Sequence, residues 1–167
     1  ANPDSRFSSW LLRQGRVHVG QATLTWLDEV RNAPPLIFTA VDFTLTNARR
    51  THRLQLHAVP PASLAQPLTI DAKLSARKTD DLKTWNGTID ASMAGESFSQ
   101  LGTWLALPYQ PQQGKGALNI QFEVTRGALA GVAAGLGLHA IETTLGVGLP
   151  ALRLDEVRGQ AVWQRGP

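Results

Sequence analysis

The stretch 67-PLTIDAKLSAR-77 alternates without a break. Leu68, Ile70, Ala72, Leu74 and Ala76 are apolar, while Thr69, Asp71, Lys73, Ser75 and Arg77 are polar. Successive strand side chains point to opposite faces, so this pattern makes one greasy face and one wet face. The stretch 118-LNIQFEVT-125 does the same, with Leu118, Ile120, Phe122 and Val124 against Asn119, Gln121, Glu123 and Thr125. Working outward, Leu54, Leu56 and Ala58 alternate with Arg53, Gln55 and His57. Trp85, Gly87, Ile89, Ala91 and Met93 alternate with Asn86, Thr88, Asp90 and Ser92. At least five such segments predict a mainly β protein: a large antiparallel, strongly curved sheet or groove with one or two short helices.

The remaining segments fill in this plan. Val17 and Val19, then Ala22, Leu24 and Trp26, are two alternating runs joined at Gly20-Gln21, which reads as a hairpin. A long strand follows, with Ile37, Val41, Phe43 and Leu45 assigned to one side. Asn47 to Thr51 is turn-like. Pro60-Pro61 stops the next strand, because proline cannot donate to a ladder. Residues 4–13 fit a short helix capped by Asp4 or Ser5. Residues 97–106 fit a second, with Phe98, Leu101 and Leu105 at helical spacing behind Ser97. Ala128 to Ala140 is rich in Gly and Ala. It reads as a strand, and a buried helix fits the same run. Strands over 117–125, 128–140 and 150–165 complete the chain.

Composition narrows the function classes. The 167 residues suit one domain or a piece of a larger protein. The net charge of +3 comes from 16 basic and 13 acidic residues. The basic residues are interleaved with apolar ones and form no stripe with stacking aromatics, so a nucleic-acid groove is not expected. There are no cysteines, which removes disulfides, thiolate nucleophiles and Cys-based metal sites. No apolar run reaches the roughly 18 residues a membrane-spanning helix needs.

Candidate chemistry is sparse. His18, His52, His57 and His139 include no pair at i, i+4, so no metal centre is expected, and they read as polar-face or hairpin-end side chains. No G-x-S-x-G elbow occurs, and Gly114-Lys115-Gly116 lacks the rest of a phosphate loop. The acidic pairs Asp28-Glu29, Asp80-Asp81 and Asp155-Glu156 are sequence neighbours, which on a strand point apart and cannot converge on a sugar. Five tryptophans remain: Trp10, Trp26, Trp85, Trp104 and Trp163. They serve either as core pins at strand edges or as a carbohydrate-stacking or membrane-interface surface. No catalytic residue and no cofactor is expected.

One ordered set of landmarks spans nearly the whole chain. It runs Trp26-Leu27-Asp28; His52-x-Leu54-x-Leu56; Pro60-Pro61 then Pro67-Leu68; Trp85-x-Gly87; Leu101-x-x-Trp104-Leu105-x-x-Pro108; Gly114-x-Gly116; Gly159-x-x-x-Trp163. This set resembles the AsmA-like envelope proteins of Proteobacteria, in particular the very long YhdP-type members. Phe122 departs from it, standing where a tryptophan is expected.

The resemblance implies a non-enzymatic segment, residues 1–167 forming one β-rich domain of a much longer periplasmic protein. A membrane helix absent from this chain would anchor that protein to the inner membrane. The family's apolar interior implies phospholipid transport between inner and outer membrane, with acyl chains and other segments of the same chain as partners. Leu68, Ile70, Leu74, Ile89, Leu118, Ile120, Phe122 and Val124 are then the expected groove lining. A structural or protein-interaction β module is the alternative, and a β-rich hydrolase with loop-borne acids is a third reading. The latter requires two carboxyls converging in a cleft, about 5–10 Å apart.

Overall fold

The computed structural model describes residues 10–27, 34–61, 67–78, 81–95, 113–143, 150 and 152–166. Eight strands run in chain order: β1 (Arg16–Trp26), β2 (Leu36–Ala48), β3 (Thr51–Val59), β4 (Leu68–Ala76), β5 (Trp85–Gly95), β6 (Gln113–Thr125), β7 (Ala128–Thr143) and β8 (Leu152–Gln164). They form one antiparallel sheet whose spatial order is the chain order, and the sheet does not close into a barrel. Helix is almost absent among the described residues: a 3-10 turn at Leu82–Thr84 and a helical start at Trp10 and Leu11. The helix expected over 97–106 lies outside the described residues, and so does most of the one over 4–13.

Register, set by period-2 patterning, builds two unlike faces. Leu54 faces Ala72, Ala72 faces Ile89, Ile89 faces Phe122, Phe122 faces Val132, and Val132 faces Trp163. The next row runs Leu56, Ile70, Ala91, Ile120, Ala134 and Ala161. Directly paired residues share a face, so these rows tile one continuous apolar surface. The opposite surface carries Gln55, Asp71, Asp90 and Gln121 in one row.

Bulges adjust that phase, and two expectations are corrected by them. Residues 16–26 form one strand, and Gly20-Gln21 is a bulge within it where a hairpin was expected. Val19 pairs Phe43 and Ala22 pairs Val41, so β1 holds one extra residue there, with Gln21 at φ 55°. A second bulge lies in β2. Ala22 pairs Val41 and Leu24 pairs Phe38, and Ala40 sits at φ 45°. The extra residue inverts the parity of everything before it. Leu36 is therefore buried at 7% exposure, and Ile37 is turned away at 46%. Ile37 does not share a side with Val41, Phe43 and Leu45. The run 128–140 is strand throughout and not a buried helix.

The β6–β7 hairpin turns tightly. Arg126 and Gly127 stand at φ 52° and 71° between β6 and β7, the double positive φ of a primed two-residue turn. Asn86 of β5 accepts the Arg126 N–H at 3.0 Å and so fixes that turn to the neighbouring strand. At Gly87 the backbone itself is close. A Cβ there would lie 2.0 Å from the Lys73 carbonyl oxygen, and φ is +152°. Only glycine lets β4 and β5 approach in that way.

Candidate functional site

The eight expected groove residues do come together. Leu68, Ile70 and Leu74 of β4, Ile89 of β5, and Leu118, Ile120, Phe122 and Val124 of β6 all lie on the apolar face and are all half-buried. In the registered rows of β2 to β7 this face is apolar except at one place, where Asn47 and His52 pair across β2 and β3. Its most buried members are Leu36, Val41, Leu45, Ala58, Ala72, Ala76 and Trp85. No large side chain among the described residues is fully buried. The strands pack on their sheet neighbours, and among the described residues no second layer lies over the face.

The tryptophans divide by position. Trp26, Trp85 and Trp163 share the apolar face, but only Trp85 is buried, at 9% exposure. Trp26 and Trp163 stand on the two edge strands at 47% and 50%. Trp104 lies outside the described residues. Val19, Leu24 and Leu27 add exposed apolar surface along the β1 side, as Val162 does on β8.

The polar exception has its own geometry. Asn47 Nδ2 donates to the carbonyls of Leu11 at 3.2 Å and Gln14 at 2.6 Å. Its Oδ1 is therefore the acceptor for His52 Nδ1, 2.7 Å away. That assigns the His52 proton to Nδ1 and leaves Nε2 a bare lone pair. The ring stacks on Trp85 with centroids 4.8 Å apart and 19° between planes. His52 Nε2 and Trp85 Nε1 are both buried without a hydrogen-bond partner among the described residues. Burial holds the His52 pKa below the ordinary 6.5, because a charged ring would lose its water. His57, five residues on, is exposed on the opposite face, as the alternation predicts.

A recess opens on the polar face. Its volume is about 450 Å³, and its lining includes Thr69, Asp71, Asp90, Ser92, Asn119 and Gln121 above a floor of Ala133 and Gly135. Two further recesses, of about 520 and 110 Å³, adjoin it along β7, past Gly137 at one end and Gly131 at the other. Small side chains on β7 between the longer ones of β6 and β8 leave this trench. A Cβ on Gly135 or Gly137 would meet nothing within 4 Å. Asp71 and Asp90 are direct cross-strand partners on its wall, a pairing of carboxylates that the sequence reading did not identify. Only the register of β4 against β5 brings them together. Asp71 accepts from Gln55 Nε2 at 3.2 Å and Arg53 Nη2 at 3.4 Å, and Asp90 accepts from Gln121 Nε2 at 2.7 Å. Each carboxylate is thus already engaged by a donor.

Among the described residues no three His, Cys, Asp or Glu side chains gather as a metal site. No described helix is long and apolar enough to cross a membrane, which leaves spanning by strands untouched. No protein-family model, no curated protein and no solved structure matches this chain.

Proposed function

We propose that this chain is a non-enzymatic lipid-conduit segment of an AsmA-like periplasmic protein. Its apolar face would hold phospholipid acyl chains on their way between inner and outer membrane. The observation that supports this most is the broad apolar face, broken in its registered rows only at Asn47 and His52, with no second layer among the described residues. Ile70, Ile89, Leu118, Ile120 and Phe122 occupy adjoining positions on it and remain half-exposed. An acyl chain needs a continuous apolar wall and no specific polar partner, and alternating strands supply that wall. The ordered landmarks from Trp26-Leu27-Asp28 to Gly159-x-x-x-Trp163 support the same reading by resemblance. On this reading the protein is periplasmic and anchored to the inner membrane.

The alternative is a structural or interaction module, and the free edges favour it. Among the described residues, strands β1 and β8 each have a single neighbour in the sheet. Such edges pair with further strands, from other segments of the same polypeptide or from a partner.

Native mass spectrometry after mild extraction tests the first reading. Co-purifying phospholipid, lost when Ile120 and Phe122 are both changed to aspartate, is the expected outcome. A clean protein mass, with the apolar face protected by protein alone, overturns it in favour of the interaction module.

A further inference from the structure

The pair Asn47–His52 is the polar exception on the apolar face of β2 to β7, and it ties four parts of the chain together. Asn47 fastens the Trp10–Gly15 turn to β2 by three hydrogen bonds. Its N–H donates to Gly15 O at 2.8 Å, and its Nδ2 donates to Leu11 O and Gln14 O. That orientation of the carboxamide is held from the other side by His52 Nδ1–H, and His52 is held by the face of Trp85 on β5. We propose that this cluster is a proton-operated latch. Neutral His52 keeps the Trp10–Gly15 turn fastened across one end of the apolar face, and a proton on Nε2 releases it.

The reason is the environment of Nε2. His52 is 3% exposed, and Nε2 has no partner among the described residues. Protonation creates a second N–H donor and a full charge at that buried position. An unpaired buried charge is too costly to keep, so the ring must reach water. Reaching water means leaving Trp85 and Asn47 Oδ1 together. The carboxamide then loses the bond that orients its two donors.

Among the described residues no anion faces the ring, and the two groups that favour a charged ring, the Trp85 face and the Asn47 Oδ1 acceptor, do not outweigh its loss of water. β2 presents Asn47, β4 presents Leu74 and Ala76, β5 presents Trp85, and the turn presents Leu11 and Gln14. None of these ionises. The charged residues within two positions of these or of His52 are Arg13, Arg16, Arg49, Arg50, Arg53, Lys73, Arg77, Lys78 and Lys83, all exposed and all cationic, and they oppose a further positive charge. Burial lowers the His52 pKa from 6.5, so the folded form binds the proton less readily than the unfolded chain does. The latch is therefore at full strength above about pH 6.5 and weakens as pH falls below it. This inference does not depend on what the apolar face binds.

Ring nitrogen NMR and amide hydrogen exchange on the whole chain test it. At neutral pH, His52 should show the Nδ1–H tautomer. Between about pH 7.5 and pH 5, Asn47 amide protection, corrected for intrinsic rate, should fall about tenfold or more as His52 titrates. His52→Gln keeps a donor but cannot titrate, and should abolish the response. His57→Gln should leave it intact. An Nε2–H tautomer, unchanged protection across the titration, or a full response in His52→Gln would each overturn the proposal. The tautomer and protection readouts need no variant to fold.

Discussion

Gly87 stands opposite Leu74 so closely that a Cβ on it would lie 2.9 Å from the Leu74 Cα and 2.0 Å from the Lys73 carbonyl oxygen. The same strand pair carries Ile89 against Ala72 and Ala91 against Ile70, so this contact helps set the spacing of the apolar rows. Gly87→Ala forces the strands apart and places a side chain at φ +152°. We expect a loss of about 2–5 kcal/mol in urea unfolding, from overpacking together with backbone strain. Gly137→Ala, by contrast, meets open space and should leave stability within about 0.5 kcal/mol.

The bulge at Ala40 predicts opposite outcomes for two adjacent residues. Leu36→Ala removes a side chain that is 7% exposed and should cost about 2–3 kcal/mol. Ile37→Ala, at 46% exposure, should stay within about 0.5 kcal/mol. Equal effects in chemical denaturation would place the bulge elsewhere.

Asp71 and Asp90 repel across the β4–β5 ladder, and their amide donors relieve this only in part. Asp90→Asn keeps an acceptor for Gln121 and removes one charge. It should raise stability by about 0.2–1 kcal/mol, and the gain should shrink as salt screens the pair. Thermal unfolding at low and high ionic strength measures both.

A photoreactive phenylalanine analogue distinguishes the two faces. Placed at Ile120 or Phe122, it should crosslink to phospholipid in cells or vesicles. Placed at Asn119 or Gln121, on the polar face, it should not. Labelling that ignores this alternation removes the support for an acyl-binding wall.

The edge strand β8 exposes Val162 at 73% and Trp163 at 50%. Unpaired edges of this kind recruit other strands, and a charge on the edge discourages them. Val162→Lys should lower self-association in sedimentation velocity without changing the unfolding midpoint. An unchanged association state would locate any self-contact away from β8.

Much of this protein was legible in its residues. The alternation through Leu68–Ala76 and Leu118–Thr125 determined strand structure, and it determined which side chains share a face, because the period of a strand is two. Composition, with no cysteine and no G-x-S-x-G, removed thiol chemistry and a conventional nucleophile elbow. Phase across a bulge was not legible. Gln21 and Ala40 carry no sequence mark of positive φ, and one extra residue moved Ile37 to the other face. Cross-strand meetings were equally hidden. Asn47 with His52, Asp71 with Asp90, and the stacking of His52 on Trp85 depend on register and on which strands are neighbours. The trench along β7 and the clash that reserves position 87 for glycine arise in the same way. Apart from Asn47 and His52, which a hairpin turn brings together, these are distances between residues far apart in the chain, and a one-dimensional pattern has no term for them.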